Sequence, residues 1–123
     1  MNLENLYLNQ TSTIRENFDN GEYQDTTYFS IMHDGTYVGE VRTIESSLNM
    51  KYISNIEIIQ DYRNKGIATH ILTKYFKGYF VSAGNIRATH LYNRIGRDQT
   101  KFTDEECRTL AYNTGMYGTF IIE

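Results

Sequence analysis

The chain has 123 residues, a length suited to one compact domain and short for two. Hydrophobic residues make up 40% and charged residues 22%, values that exclude a disordered or fibrous chain. Twelve basic residues stand against fifteen acidic ones, for a formal charge of -3, with no Lys/Arg block, so nucleic acid is not an expected partner. The opening MNLENLYLNQ has neither a basic start nor a continuous apolar core, and no apolar run reaches bilayer-spanning length. A cytoplasmic chain with no membrane partner is expected. Cys107 is the only cysteine, which excludes an internal disulfide.

From Leu3 to Phe18, LYL reads as a short first strand. TSTIRENF carries capping residues, with Ile14 and Phe18 one helical turn apart, so a short helix is expected to follow. NGEYQDTT is a polar connection. TYFSIMHDGTYVGEVRTI then reads as two strands around Asp34-Gly35, a dipeptide that favours a tight hairpin turn. After the turn ESSLN, MKYISNIEII alternates as a third strand, which completes an antiparallel meander.

EIIQDYRNKGIATHIL turns a strand into a helix through a polar corner at Gly66. Ile67, Ile71, Leu72, Tyr75 and Phe76 fall at helical spacing, so one face of this helix packs on the sheet. GYFVSAGN is a brief strand. NIRATHLYNRIG reads as a second helix, with Asn85 as its N-cap, with Ala88, Leu91, Tyr92 and Ile95 along one side, and with Gly96 as its terminating glycine. TDEE at 103–106 is a capping-box pattern for a last short helix, and MYGTFIIE is a terminal strand. No repeat or linker divides the chain, so residues 1–123 read as a single domain.

The turn RNKGIA, Arg63 to Ala68, has the form R-x-x-G-x-A. Its glycine lets a diphosphate come against the backbone, the amides of Asn64 to Ala68 can serve as donors, and the new helix adds its positive end. Taken alone, the turn is equally a solvated corner. It has neither the three glycines of a dinucleotide-binding turn nor the Gly-Lys-Ser/Thr of a Walker loop. The second motif, downstream, changes the balance. EIIQDYRNKGIATHIL resembles the acetyl-CoA pyrophosphate loop of the GNAT superfamily of N-acetyltransferases, and NIRATHLYNRIG resembles that family's N-x-x-A-x-x-L-Y-x-x-x-G helix.

The resemblance covers residues 26–96 well. It implies an α/β GNAT fold, a mixed and mainly antiparallel sheet flanked by helices, with acetyl-CoA in a V-shaped gap between the fourth and fifth strands. It further implies that the amides of Ile58, Arg63, Asn64, Lys65, Gly66, Ile67 and Ala68 hold pantetheine and pyrophosphate. Asn85 would lie near the pantetheine arm, and Tyr92 would protonate the leaving thiolate. A phenol of ordinary pKa, about 10, is still protonated at neutral pH and suits that task. The implied reaction is acetyl transfer by direct attack of a primary amine, either a small molecule or a protein lysine or amino terminus. Glu57 is the nearest carboxylate in sequence for the base that neutralises the amine, and a plain solvent-facing strand residue is the competing reading. Mild acidity favours a cationic acceptor. His33, His70 and His90 have no metal-like spacing, so no metal is expected.

Three features depart from the family pattern. Only about 22 positions separate Arg63 from Asn85, so the helix and strand between them must be short. Arg97 follows Gly96 where the family usually has an aromatic residue, and TDEECRTLAYN stands where a strand is expected. About 25 residues precede the first meander strand, too few for the two helices that usually wall the family's acceptor site. These departures keep open a second reading, a GNAT-fold protein that does not catalyse and binds a partner, as an inhibitor or virion component. A homodimer whose subunits complete each other's pocket is compatible with both.

Overall fold

The Asp34-Gly35 dipeptide forms the tight turn its sequence predicts. Both residues take positive φ, 49° and 82°, the twist a two-residue hairpin requires. The turn joins β2 (Tyr23–His33) to β3 (Thr36–Ser46) in the computed structural model, which describes residues 1–109 and 118–123. β3 pairs in turn with β4 (Lys51–Ile58), also antiparallel.

The first eighteen residues do not split into a strand and a helix. After one 3-10 turn at Leu3–Asn5, β1 (Leu6–Asn17) runs as a single strand and pairs with β2 from Leu6 to Asn17, with one bulge at Thr11. The residues that looked like helix caps are engaged across the ladder instead. Thr11 Oγ1 donates to the Tyr28 carbonyl at 3.1 Å, Thr13 and Thr27 hydroxyls meet at 3.2 Å, and Arg15 Nε donates to Asp25 at 2.7 Å. With β-branched Thr and Ile well suited to a pleated surface, cross-strand pairing wins over local capping. The meander therefore has four strands.

Beyond it lie α1 (Ile67–Tyr75), β5 (Phe80–Ser82), α2 (Ile86–Ile95), β6 (Gly96–Asp98), α3 (Asp104–Thr109) and β7 (Thr119–Ile122). The sheet order is β1-β2-β3-β4-β5-β7-β6, with β5 parallel to β4 and every other pair antiparallel. The short α1 and three-residue β5 are the abbreviation that the Arg63 to Asn85 spacing requires.

Strand alternation gives the sheet two unlike faces. Ile31, Val41 and Ile53 point to one of them and pack with Ile67, Ile71 and Leu72 of α1 and Tyr92 of α2 in the main core. Tyr75, expected on that packed face, is 37% exposed; Phe76 fills the end of the core and meets Phe29 and Tyr79 edge-on. On the other face Glu40 and Arg42 of β3 are exposed, and a small cluster of Phe80 and Ile121 with Met50, Tyr52 and Phe102 covers the far end.

The C-terminal part also differs from expectation. Gly96 does not end α2 in a left-handed conformation: its φ is -150° and it opens β6. Glycine is needed there because a Cβ would lie 2.4 Å from the carbonyl oxygen of Ile121 on β7. Arg97, a departure from the family pattern, does not prevent a strand here, since β6 pairs antiparallel with β7. Arg97 serves it as an ionic hub, bonding Glu106 of α3 through both Nη atoms at 3.0 and 2.8 Å and Glu123 through Nε at 2.7 Å. Of TDEECRTLAYN, the segment 104–109 is helix, begun by the predicted capping box: the Thr103 amide donates to Glu106 Oε1 at 2.8 Å, and the Glu106 amide donates to Thr103 Oγ1 at 3.2 Å. Residues 110–113, and Met116 and Tyr117 of the expected last strand, lie outside the described residues.

Candidate active site

β4 and β5 touch only at Tyr52–Phe80 and Ile53–Val81. β4 continues to Ile58 while β5 stops at Ser82, so from Ser54 onward β4 has no strand beside it on that side, and a notch opens between the two. The notch leads into a cavity of about 600 Å³, within the usual range for small-molecule sites. β4, the turn after it, α1 and α2 form its walls.

The strand wall offers backbone donors. The Ile59 amide donates to the Val38 carbonyl at 3.0 Å and so points to β3. Amides alternate along an extended chain, which turns those of Ile58 and Ile56 toward the notch. Close approach of β3 to this wall requires Gly39, whose Cβ would stand 2.3 Å from the Glu57 carbonyl.

After a 3-10 turn at Gln60–Tyr62, the chain enters α1 through two left-handed residues, Asn64 at φ 63° and Gly66 at φ 80°. Gly66 is the N-cap and supplies no side-chain acceptor. Among the described residues, no backbone or side-chain acceptor takes the amides of Asn64, Lys65, Gly66, Ile67 or Ala68. A row of open donors thus meets the positive end of a helix at the cavity mouth, which is the arrangement that binds anions.

The predicted side chains fall around this row in different ways. The Arg63 amide, expected among the open donors, instead closes the 3-10 turn on the Gln60 carbonyl at 3.2 Å, and the Arg63 side chain lines the cavity and donates from Nε to the Ile58 carbonyl at 2.8 Å, so it braces the turn against the end of β4. Lys65 is exposed and does not line the cavity. Asn85 caps α2, accepting the Ala88 amide on Oδ1 at 2.8 Å; its Nδ2 remains a donor, and the residue lines the cavity.

Tyr92 reaches the cavity from the buried side of α2, 6% exposed, with its ring 5.8 Å from that of Phe120. Burial first, and the neighbouring Tyr52 second, push its phenol above the usual tyrosine value. It is a protonated donor throughout the neutral range. Glu57 borders the same cavity and is exposed.

Sequence reasoning missed three neighbours. Arg87 donates from Nη2 to Asn64 Oδ1 and ties α2 to the α1 entry turn. Glu40 is the register partner of Glu57, placing a second carboxylate at the same lip, and Tyr37 lies close enough for both to raise its pKa, after burial as the largest cause. Glu40 is readable once the Asp34-Gly35 hairpin fixes the register; Arg87 carries no such signal.

Among the described residues no group of three or more His, Cys, Asp and Glu side chains is arranged to hold a metal, and no helix is long and apolar enough to cross a membrane. No curated protein and no solved structure matches the chain. The family model for the GNAT acetyltransferases matches residues 2–96, most of the chain and all of the notch. With the parallel β4–β5 splay, the open turn at Gly66 and the α2 motif all inside that match, the chain belongs to the GNAT family of acetyltransferases.

Proposed function

We propose that the protein is an N-acetyltransferase that moves the acetyl group of acetyl-CoA to a primary amine. The observation that carries this reading is the set of open amides at Asn64, Gly66, Ile67 and Ala68, in one cavity with the buried side chain of Tyr92. The residues fit acetyl-CoA: the uncapped amides suit its pyrophosphate, and the notch-facing amides of Ile56 and Ile58 suit its extended, amide-bearing arm.

In the reaction, the neutral amine attacks the thioester carbonyl carbon. A notch-facing amide of β4 donates to the oxygen as it gains charge. The C–S bond then breaks, Tyr92 gives its proton to the departing sulfur, and the nitrogen loses a proton to Glu57 directly or through water. The products are an acetamide and free CoA thiol, with no covalent enzyme intermediate. The acceptor is a small amine or a protein lysine or amino terminus, and the carboxylates of Glu40 and Glu57 at the lip favour a cationic one. In this reading the enzyme works in the cytoplasm, where the exposed thiol of Cys107 stays reduced.

Calorimetric titration with acetyl-CoA tests the proposal, followed by an amine screen read out by release of free thiol. Saturable binding and amine-dependent thiol release are expected. Folded protein that binds no acetyl-CoA would overturn the proposal in favour of a GNAT-fold protein that only binds a partner.

A further inference from the structure

The first turn of α2 is loosely tied to the rest of the molecule. Asn85, Ile86 and Arg87 are exposed, Ile86 by 65%, and the loop before them carries Gly84, where an added Cβ would meet nothing within 4 Å among the described residues. The hydrogen bonds of Asn85 stay within the helix: its side chain takes the Ala88 amide at 2.8 Å, and its carbonyl takes the Thr89 hydroxyl at 3.0 Å. Later turns are held better. Tyr92 is buried, Leu91 and Ile95 pack on the main core, and the chain passes from Ile95 into the β6–β7 pair. Arg87 is the exception in the first turn, since it reaches off the helix to Asn64 Oδ1, 23 positions away in the turn that carries the open amides.

Both ends of this bond leave something over for a ligand. Asn64 sits at φ 63°, a left-handed conformation that asparagine adopts more readily than most side chains, and its own amide stays open at the cavity mouth. Its Oδ1 is a neutral acceptor. Arg15 and Arg97 are each met by carboxylates, whereas among the described residues no ion pair neutralises Arg87. A guanidinium carries several N–H donors, and the bond to Asn64 takes one of them. Full charge and spare donors therefore remain on a side chain that lines the same cavity as Asn64.

We infer that Arg87 is a positioning residue that couples an anion on the Asn64–Ala68 turn to the placement of α2, and through α2 to Tyr92. A diphosphate on the open amides meets the spare donors of Arg87 while Nη2 keeps Asn64, two tasks that a planar guanidinium performs together. The first turn of α2 is then held by turn and ligand at once. Tyr92 stands five residues further along the helix, about 7.5 Å by the ordinary rise, so a tilt of the first turn displaces the phenol. The consequence for catalysis rests on the transferase reading: the part of acetyl-CoA that does not react helps to place the acid at the end that does.

Two variants test the coupling. Asn64→Gly removes Oδ1 at a backbone conformation that glycine adopts freely, and Arg87→Met removes the guanidinium from an exposed position, so both are expected to keep the wild-type circular dichroism. ADP supplies a diphosphate without the pantetheine arm. In the wild type, saturating ADP is expected to slow hydrogen exchange at the Thr89 and His90 amides by about 3-fold or more, and in either variant bound ADP is expected to leave it unchanged. Equal slowing in wild type and variants would overturn the inference, as would a wild type that shows no slowing or binds no ADP in calorimetry up to about 5 mM. Loss of ADP binding by Asn64→Gly would make Asn64 a plain anion contact and overturn it as well. On the active enzyme, S-acetylpantetheine, which lacks the diphosphate, separates coupling from a merely loosened helix. The kcat advantage of acetyl-CoA over S-acetylpantetheine is expected to shrink by about 10-fold in each variant and no further in the double variant. An undiminished advantage would mean a structural tie, and a rise in KM alone would mean a phosphate contact; either sinks the inference. The exchange readout needs no acetyl transfer, so failure of the proposed activity leaves it standing.

Discussion

Among the described residues, three α-helices begin in two different ways. α2 starts on Asn85 and α3 on Thr103, and in both a side-chain oxygen takes an amide of the first turn, at 2.8 and 3.2 Å. α1 starts on Gly66, which has no side chain to offer. Two helix starts thus have an amide taken by a side chain of the protein, and the third is left with open donors beside the notch between β4 and β5. A glycine in place of a side-chain cap costs a helix only about a few tenths of a kcal/mol. Here it falls where the β4–β5 splay gives an anion room to approach, so the unsatisfied start is the functional one.

Gly66→Trp should break that contrast most severely. The indole would stand before the open amides, and a φ of 80° is strained for any side chain, although among the described residues an added Cβ would meet only Leu3 Cδ1, at 3.7 Å. Acetyl-CoA affinity is expected to fall by about 100-fold or more, about 2.7 kcal/mol, in calorimetry on protein whose circular dichroism matches wild type. Affinity within a few-fold of wild type would remove the turn from the site. Tyr92→Phe comes next. It should lower kcat by about 100-fold and leave acetyl-CoA affinity unchanged, because only proton donation to sulfur is lost. An unchanged single-turnover rate would relieve Tyr92 of that role.

The contrast is sharpened by a smaller, matched pair. Asn85→Ala and Thr103→Ala each remove one cap and should each cost about 1 kcal/mol in urea unfolding. Only Asn85 lines the cavity, so only its replacement should also weaken acetyl-CoA binding. Equal binding by the two variants would reduce Asn85 to a structural cap.

The legible parts of the fold were those in which one residue must do one thing. Asp34-Gly35 had to turn, Asn85 could cap, and the β4-to-α1 corner had to leave amides open. The stretch TSTIREN was misread because the same hydroxyls that cap a helix also bond across a ladder, and only β2 as a partner decides between the two. Gly96 reads as a helix end for a similar reason. What demands glycine there is the Ile121 carbonyl, some twenty-five residues away in the chain by the range of ordinary long-range strand pairing. Arg97 looked like a defect in the motif until Glu106 and Glu123 were found against it. In the site, the backbone donors could be read from the glycine spacing, whereas the Arg87 brace and the Glu40–Glu57 pair depend on packing and register.

The smallest effect is expected at the α3 cap, and it depends on acidity. Arg97, bonded through both Nη atoms, is the main cause that brings the Glu106 carboxyl down to about 2, and the Thr103 amide is the next. In the unfolded chain a glutamate titrates near pH 4.3, by the ordinary value of about that size. On acidification the unfolded state therefore takes up the proton first. The stabilisation is whole above the unfolded value and is lost as the pH falls through about 2. The pair is only partly buried, with Arg97 31% and Glu106 24% exposed, so its contribution is modest, under about 1 kcal/mol. Urea midpoints for wild type and Glu106→Gln should differ at pH 7 and converge between about pH 4.5 and pH 2, while acetyl-CoA affinity at pH 7 stays the same in both. Subtracting the two profiles removes the other carboxylates, Asp25 and Asp98 among them, whose values are also lowered. Parallel profiles would show that Arg97 holds α3 through its other contacts rather than through the charge on Glu106, and the C-terminal cap would then owe its strength to geometry alone.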